Sequence, residues 1–207
     1  MSSIRKLISE FIFSFNKLIP TSTYSFEHDY ISSKYSFKLK NGDDRMNCHK
    51  YNDKFECFFV DSESRSKIAC VWIKNFHQPT YTILFSHGGT IDIGTLINFL
   101  FILSQRLSVN ILIYDYSGFG ASTGKISEDA VYQDSEAVYK HLVKFVKPEK
   151  VVLYGQSLGS APSSYLAAIH PAKGVIIHSS FLSVVKLYFP HIINKIGYFY
   201  DCLKMYV

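Results

Sequence analysis

The pentapeptide Gly155-Gln156-Ser157-Leu158-Gly159 follows the apolar run Val151-Val152-Leu153-Tyr154 and precedes a helical stretch from Ser160 to Ile169. A strand, then Gly-x-Ser-x-Gly, then a helix, is the pattern of a nucleophile elbow, in which a serine is held on a sharp and strained turn. Glycines flank the serine because side chains at those positions would collide with the adjacent strand and helix. The turn leaves the Ser157 hydroxyl exposed at a helix N-terminus, where the dipole and free amides favour a developing negative charge. That is the chemistry of an alcohol attacking an acyl carbon.

A second stretch, Ser86-His87-Gly88-Gly89, ends the run Tyr81 to Ser86. On its own His-Gly-Gly is a common turn, but beside an elbow it is the expected source of a second oxyanion donor. The amides of Gly89 and Leu158 would then point at one oxygen, and a small residue at 89 lets a substrate carbonyl come close. The 68 positions from Gly89 to Ser157 leave room for two helices and one strand. A third stretch, Asp115-Tyr116-Ser117-Gly118-Phe119-Gly120-Ala121-Ser122, supplies a tight glycine loop at the same edge. Asp115 is read as an anchor for loop amides, since the acid of a catalytic triad follows the serine in this chain order.

The elements that must position these groups alternate along the chain. Short β-branched and aromatic runs predict strands over Phe55 to Val60, Ile68 to Ile73, Tyr81 to Ser86, Asn110 to Asp115, Val151 to Tyr154 and Gly174 to His178. Helices are expected over Thr95 to Leu107, Glu128 to Val146 and Leu158 to Ile169, the second capped by Ser127 with Glu128 and Asp129 in its first turn. Such alternation predicts an α/β fold, a mainly parallel sheet with helices on both faces. Residues 20–53 read as an irregular lead-in with a turn signal at Asn41-Gly42-Asp43-Asp44. Residues 1–19 read as an amphipathic helix closed by Pro20: Ile4, Leu7, Ile8, Phe11, Ile12, Phe15, Leu18 and Ile19 share one face, and Arg5, Lys6, Glu10 and Lys17 the other. Two readings of that helix stay open, docking on the domain's own core and peripheral contact with a membrane interface.

Composition sets the outer bounds. With 207 residues, 47% hydrophobic, 19% charged and a mean hydropathy of +0.06, the chain is one globular domain; disorder, a collagen-like fibre and a long helical array are excluded. The formal charge of +5 is spread without a basic block, so nucleic acid is not an expected partner. No run approaches the roughly 20 apolar residues of a membrane-spanning helix. The four cysteines, Cys48, Cys57, Cys70 and Cys202, form no Cys-x-x-Cys pair, which favours a reducing, cytoplasmic setting, and neither a metal nor a cofactor is expected.

The runs Phe85-Ser-His-Gly-Gly-Thr-Ile-Asp-Ile-Gly94, Tyr114-Asp-Tyr-Ser-Gly-Phe-Gly-Ala-Ser-Thr-Gly-Lys125, Leu153-Tyr-Gly-Gln-Ser-Leu-Gly-Ser160 and Ile177-His-Ser179 resemble the α/β-hydrolase domain-containing protein 17 family over roughly residues 54–200. The resemblance implies the α/β-hydrolase fold and the activity of a depalmitoylating serine hydrolase, a membrane-associated thioesterase with S-acylated proteins as substrates. It implies Ser157 as nucleophile and the Gly89 and Leu158 amides as the oxyanion hole. Three departures stand beside it. The family usually has Asn where Gly89 stands, a change a backbone donor tolerates. Residues 1–47 contain none of the cysteines that the family acylates near its N-terminus.

The third departure concerns the triad. The fold's order is Ser, acid, His, each after a later strand, and the residues after His178 are expected to lack the last two strand-helix units, making 54–207 a partial hydrolase domain. His178 and Asp201 resemble structural positions of the family and receive no triad role. Beside a working thioesterase there stands the reading of an incomplete fragment or pseudoenzyme that binds lipidated proteins without turnover.

Overall fold

The structure, a computed structural model, describes residues 19–40, 54–75, 77 and 79–180. The helix expected over 1–19 therefore lies outside the described residues except for Ile19, as do His49, His191 and Asp201. The described residues form one eight-stranded sheet from β1 (Tyr24–Asp29), β2 (Lys34–Leu39), β3 (Phe55–Asp61), β4 (Lys67–Ile73), β5 (Thr82–Ser86), β6 (Asn110–Tyr114), β7 (Val151–Gln156) and β8 (Gly174–His178). Their order across the sheet is β1-β2-β3-β4-β6-β5-β7-β8. Strands β6, β5, β7 and β8 run parallel, whereas β1 to β4 and the β4–β6 pair are antiparallel. The parallel half carries the predicted strand-helix alternation, with helices α1 (Ile93–Leu107), α2 (Glu128–Leu142) and α3 (Ser160–Ile169).

Burial explains which runs became central. All five residues of β5 and six of the seven in β4 are buried, as continuous apolar strands covered on both faces must be. On one face, α1 packs Ile93, Ile97, Leu100 and Phe101 against Ile83, Phe85, Ile111 and Ile113. On the other, Val131, Val138, Tyr139 and Leu142 of α2 and Leu166 of α3 cover Leu84, Leu112, Val151 and Leu153. Cys57 and Cys70, on neighbouring strands, fall into opposite layers because Cys57 is in register with Val71 and Cys70 with Phe58. Both thiols are free; burial pushes Cys57 up to about 12 and Cys70 well above its usual value.

The lead-in expected over 20–53 needs correction in its described part. Residues Tyr24–Leu39 form a hairpin in which Tyr24, Phe26 and His28 stand opposite Leu39, Phe37 and Tyr35. Alternate residues therefore make one aromatic face. That face, with Tyr24 stacked on Phe37 at 4.8 Å, extends the core layer of α1. Burial of this face outweighs the weak strand propensity of the intervening Ser, Glu, Asp and Lys residues.

Asp92 ties this hairpin to α1. As the N-cap it accepts from the Thr95 amide at 3.0 Å and hydroxyl at 2.8 Å, and it also accepts from the Thr23 amide at 2.7 Å and hydroxyl at 2.6 Å. Burial works to raise its pKa, but the bonds from Thr23 and Thr95 outweigh it and hold the carboxyl below its usual range. Asp92→Ala is expected to cost about 2 kcal/mol, a fall in Tm of roughly 5 °C. Because the folded-state pKa is depressed, the stabilisation by the carboxylate is complete above the unfolded value near 4 and fades as pH falls through the folded value. Urea unfolding should therefore show the gap between wild type and Asp92→Asn narrowing below about pH 4; a gap that widens in acid would contradict hydrogen bonding to the ionised carboxylate.

Candidate active site

Two features of chain direction create a crevice. From β5 the chain passes through α1 to β6 on one side; from β7 it passes through α3 to β8 on the other. Crossovers of one hand that run in opposite directions put their helices on opposite faces, so the loops leaving β5 and β7 part and leave a crevice at the carboxyl ends of the strands. Ser86 and Gly155, the paired residues at this edge, bring the two loops together.

The loop from β7 is the predicted elbow. Gln156 is extended at φ −107°, Ser157 has φ +51°, and one 3₁₀ turn over Ser157–Gly159 leads into α3. A left-handed conformation at a serine is a strained state that the surroundings must enforce. They do so by close packing. A Cβ at Gly159 would fall on the carbonyl of Ser86 and lie 2.9 Å from the His87 oxygen. At Gly155 it would lie 2.7 Å from the Ser160 Cα. The Ser160 hydroxyl donates to the Ser157 carbonyl at 2.6 Å and closes the turn.

The loop from β5 lies alongside. A Cβ at Gly88 would stand 3.6 Å from the Ser157 Cβ, and one at Gly89 would stand 3.4 Å from the Leu158 side chain. The structure thus brings together the three residues singled out in the sequence, Ser157, Gly89 and Leu158. Among the described residues no bond outside the helices and strands uses the Gly89 amide. The arrangement can present two main-chain donors beside one hydroxyl.

This loop is held from below by buried groups. The His87 ring is fully buried, and its Nδ1 donates to the Gly88 carbonyl at 2.8 Å. Its Nε2 lies 3.1 Å from Asp115 Oδ1 without the alignment of a hydrogen bond. The Tyr116 hydroxyl donates to the His87 carbonyl at 2.8 Å, and the Ser86 and Tyr114 hydroxyls lie 2.8 Å apart. Burial raises Tyr114 and Tyr116 above the usual phenol range, so both stay protonated. Asp115 accepts from the Ile93 amide at 3.1 Å and from the Tyr24 hydroxyl at 2.5 Å, the anchoring role its place in the sequence suggested.

The described residues offer Ser157 no base. The His178 Nδ1 lies 2.9 Å from the Tyr154 hydroxyl, His170 Nε2 lies 3.3 Å from Glu136, and His141 stacks on Phe58 at 4.8 Å. His28 and His77 are exposed. A polar cleft of about 390 Å³ between β3 and α2, lined by Val60, Glu63, Glu136, Lys140 and His141, shares no residue with the elbow. No cluster of ligating side chains that could hold a metal occurs among the described residues. Tyr24 is the residue at this site that the sequence reading missed. Its signal, an aromatic at the head of an alternating six-residue run, was present but weak.

Comparison with known proteins gives the family and the fold. The family described as serine aminopeptidase, S33 (Hydrolase_4) matches residues 77–203. α/β-Hydrolase domain-containing protein 17B of Homo sapiens is 37% identical over 175 residues, covering 84% of this chain and 61% of that protein. The 17C protein of Mus musculus is 38% identical over 140 residues, covering 67% of this chain and 44% of that protein. Among solved structures, an α/β hydrolase from Vibrio vulnificus superposes with a TM-score of 0.65 at 16% identity, over 99% of this chain and 69% of that one. An esterase from Pyrococcus furiosus gives 0.54 at 21% identity, over 72% of this chain and 59% of that one. At these identities the two structures share the fold. The chain spans less than two-thirds of the length of the curated relatives it matches.

Proposed function

The chain belongs to the serine aminopeptidase S33 family (Hydrolase_4), an α/β hydrolase whose curated homologues are the 17B and 17C proteins, and from that premise we propose that it is a serine hydrolase acting on acyl thioesters of S-acylated proteins. The observation that carries the reading is Ser157 at φ +51° on the strand-to-helix turn, flanked by the Gly88-Gly89 loop. In the proposed reaction the Ser157 oxygen attacks the thioester carbonyl while its proton passes to a base. The Gly89 and Leu158 amides stabilise the oxyanion, and the carbon–sulfur bond breaks to release the thiol. Water then attacks the acyl-serine, releasing the fatty acid and restoring the hydroxyl.

A neutral alcohol needs that base. In this fold the acid and histidine follow the serine on later strands, so these roles are assigned to positions after β8, and the described histidines are left in structural roles. The second reading is capture of lipidated protein without turnover.

The test is hydrolysis of a palmitoyl-cysteine peptide beside its palmitoyl-serine counterpart, with free thiol and fatty acid measured. Release from the thioester at least about tenfold faster than from the oxygen ester is expected, because the thiolate is the better leaving group and the two peptides carry the same acyl chain. Saturable binding without thiol release would support the second reading, and hydrolysis of the oxygen ester alone would remove the thioester assignment.

A further inference from the structure

The peptide joining Gly88 to Gly89 is a single planar unit. In a trans peptide the carbonyl at one end and the N–H at the other point in opposite directions. Whatever holds the Gly88 oxygen therefore aims the Gly89 N–H, one of the two donors of the proposed oxyanion hole. That oxygen is held by His87 Nδ1 at 2.8 Å. The other edge of the ring faces Asp115 Oδ1 at 3.1 Å. The remaining carboxylate oxygen, Oδ2, accepts from the hydroxyl of Tyr24, a residue of the N-terminal hairpin 91 positions away.

We propose that Tyr24 is a positioning residue for catalysis, acting through Asp115 and His87 to hold the Gly88-Gly89 peptide with its N–H toward the reacting carbonyl. The inference rests on the hydrolase reading above and deepens it.

Four further observations support it. The chain is cleared for this contact at two places: a Cβ at Gly94 would stand 3.1 Å from the Tyr24 ring, and one at Gly120, φ +49°, would fall on the Asp115 carboxylate and lie 2.9 Å from Tyr24 Cε1. The Tyr24 hydroxyl also accepts from the Ala121 amide at 3.3 Å, so hairpin, glycine loop and Asp115 meet at one oxygen. Burial, then the charge of Asp115, pushes the phenol well above its usual pKa, which keeps it a donor. Asp115 itself is fully buried and takes the Ile93 amide on Oδ1, so Tyr24 and Ile93 together fix the carboxylate against rotation. Without the hydroxyl one arm of that clamp is gone. The ring, and with it the peptide, then gains freedom.

The test compares Tyr24→Phe, which removes one oxygen and keeps the aromatic packing, with Phe37→Leu, which disturbs the ring stack on Tyr24 and leaves the hydroxyl in place. Losing an oxyanion donor outright costs about 10² to 10³ in kcat; loosening one is expected to lower kcat about tenfold in Tyr24→Phe with KM within about twofold. Phe37→Leu is expected to lower Tm and leave kcat within about twofold. A second readout needs no turnover: the ¹⁵N order parameter of the Gly89 amide should fall from about 0.85 in wild type to below about 0.6 in Tyr24→Phe, with β6 amides unchanged. An unchanged kcat and order parameter in Tyr24→Phe, with turnover abolished by Ser157→Ala, would overturn the positioning role and leave the hydrolase reading intact. Order parameters falling throughout the sheet would show a merely structural role and overturn it equally. Undiminished turnover in Ser157→Ala would instead remove the hydrolase reading, and the Gly89 amide would still decide whether Tyr24 orders the loop.

Discussion

Ser157→Ala is expected to abolish labelling by a fluorophosphonate and to lower ester hydrolysis by about 10⁴-fold or more, the scale on which loss of a serine nucleophile is felt. The residual rate should come from the main-chain donors alone, since the substitution leaves Gly89 and Leu158 in place. The same position offers a check on geometry that is independent of activity. At φ +51° both serine and alanine carry the steric penalty of the left-handed region, and glycine does not. Ser157→Gly should be equally inactive yet more stable than Ser157→Ala by about 0.5–1 kcal/mol, after the greater freedom of glycine in the unfolded chain is set against the relieved strain. Thermal unfolding of the pair measures this. Labelling that persists in Ser157→Ala would place the nucleophile elsewhere, and a glycine variant less stable than the alanine variant would contradict a strained elbow.

Gly159→Ala is expected to be the most damaging single-methyl change at the site. The new Cβ would meet the carbon and oxygen of the Ser86 carbonyl and the His87 oxygen, all main-chain atoms of the neighbouring β5 and its loop. Neither can withdraw without breaking the β5–β7 ladder, in which Ser86 pairs with Gly155. A loss of about 3–4 kcal/mol follows, or roughly 10 °C in Tm. Gly89→Ala serves as the comparison. There the Cβ would stand 3.4 Å from the flexible end of Leu158, so a cost below about 1 kcal/mol is expected. Equal effects of the two substitutions would mean that the close approach of α3 to β5 is not as described.

The pieces of the site were legible to different degrees. The elbow could be read because its requirements are local: Val151 to Tyr154 must be strand, Gly155 and Gly159 must lack side chains, and Ser160 onward must be helix. The α2 N-cap at Ser127 was legible for the same reason, and its hydroxyl does accept from the Ala130 amide at 3.1 Å. The hairpin was harder. The aromatics at 24, 26, 35 and 37 keep a period of two, but His28 and the polar residues between them dilute it, and burial falls from complete at Tyr24 to none at Asp29. Its loop end is exposed, with Tyr30 and Ile31 at 88% and 98% accessibility, so only half of each strand carries a core signal.

By itself the sequence determined the backbone chemistry of this protein: where a strand must turn sharply into a helix, which residue sits on that turn, and which glycines leave room for it. These follow from sterics and hydrogen bonding within a few residues of one another. Tertiary structure alone decided that Thr23 would reach Asp92 across 69 positions and that Tyr24 would reach Asp115 across 91. It also decided that Cys57 and Cys70 face away from each other. Such contacts arise because burying one aromatic face of the hairpin beside α1 removes its polar groups from water, and a hydroxyl taken into the core must then find a partner there. Which partner it meets is set by the order of strands in the sheet.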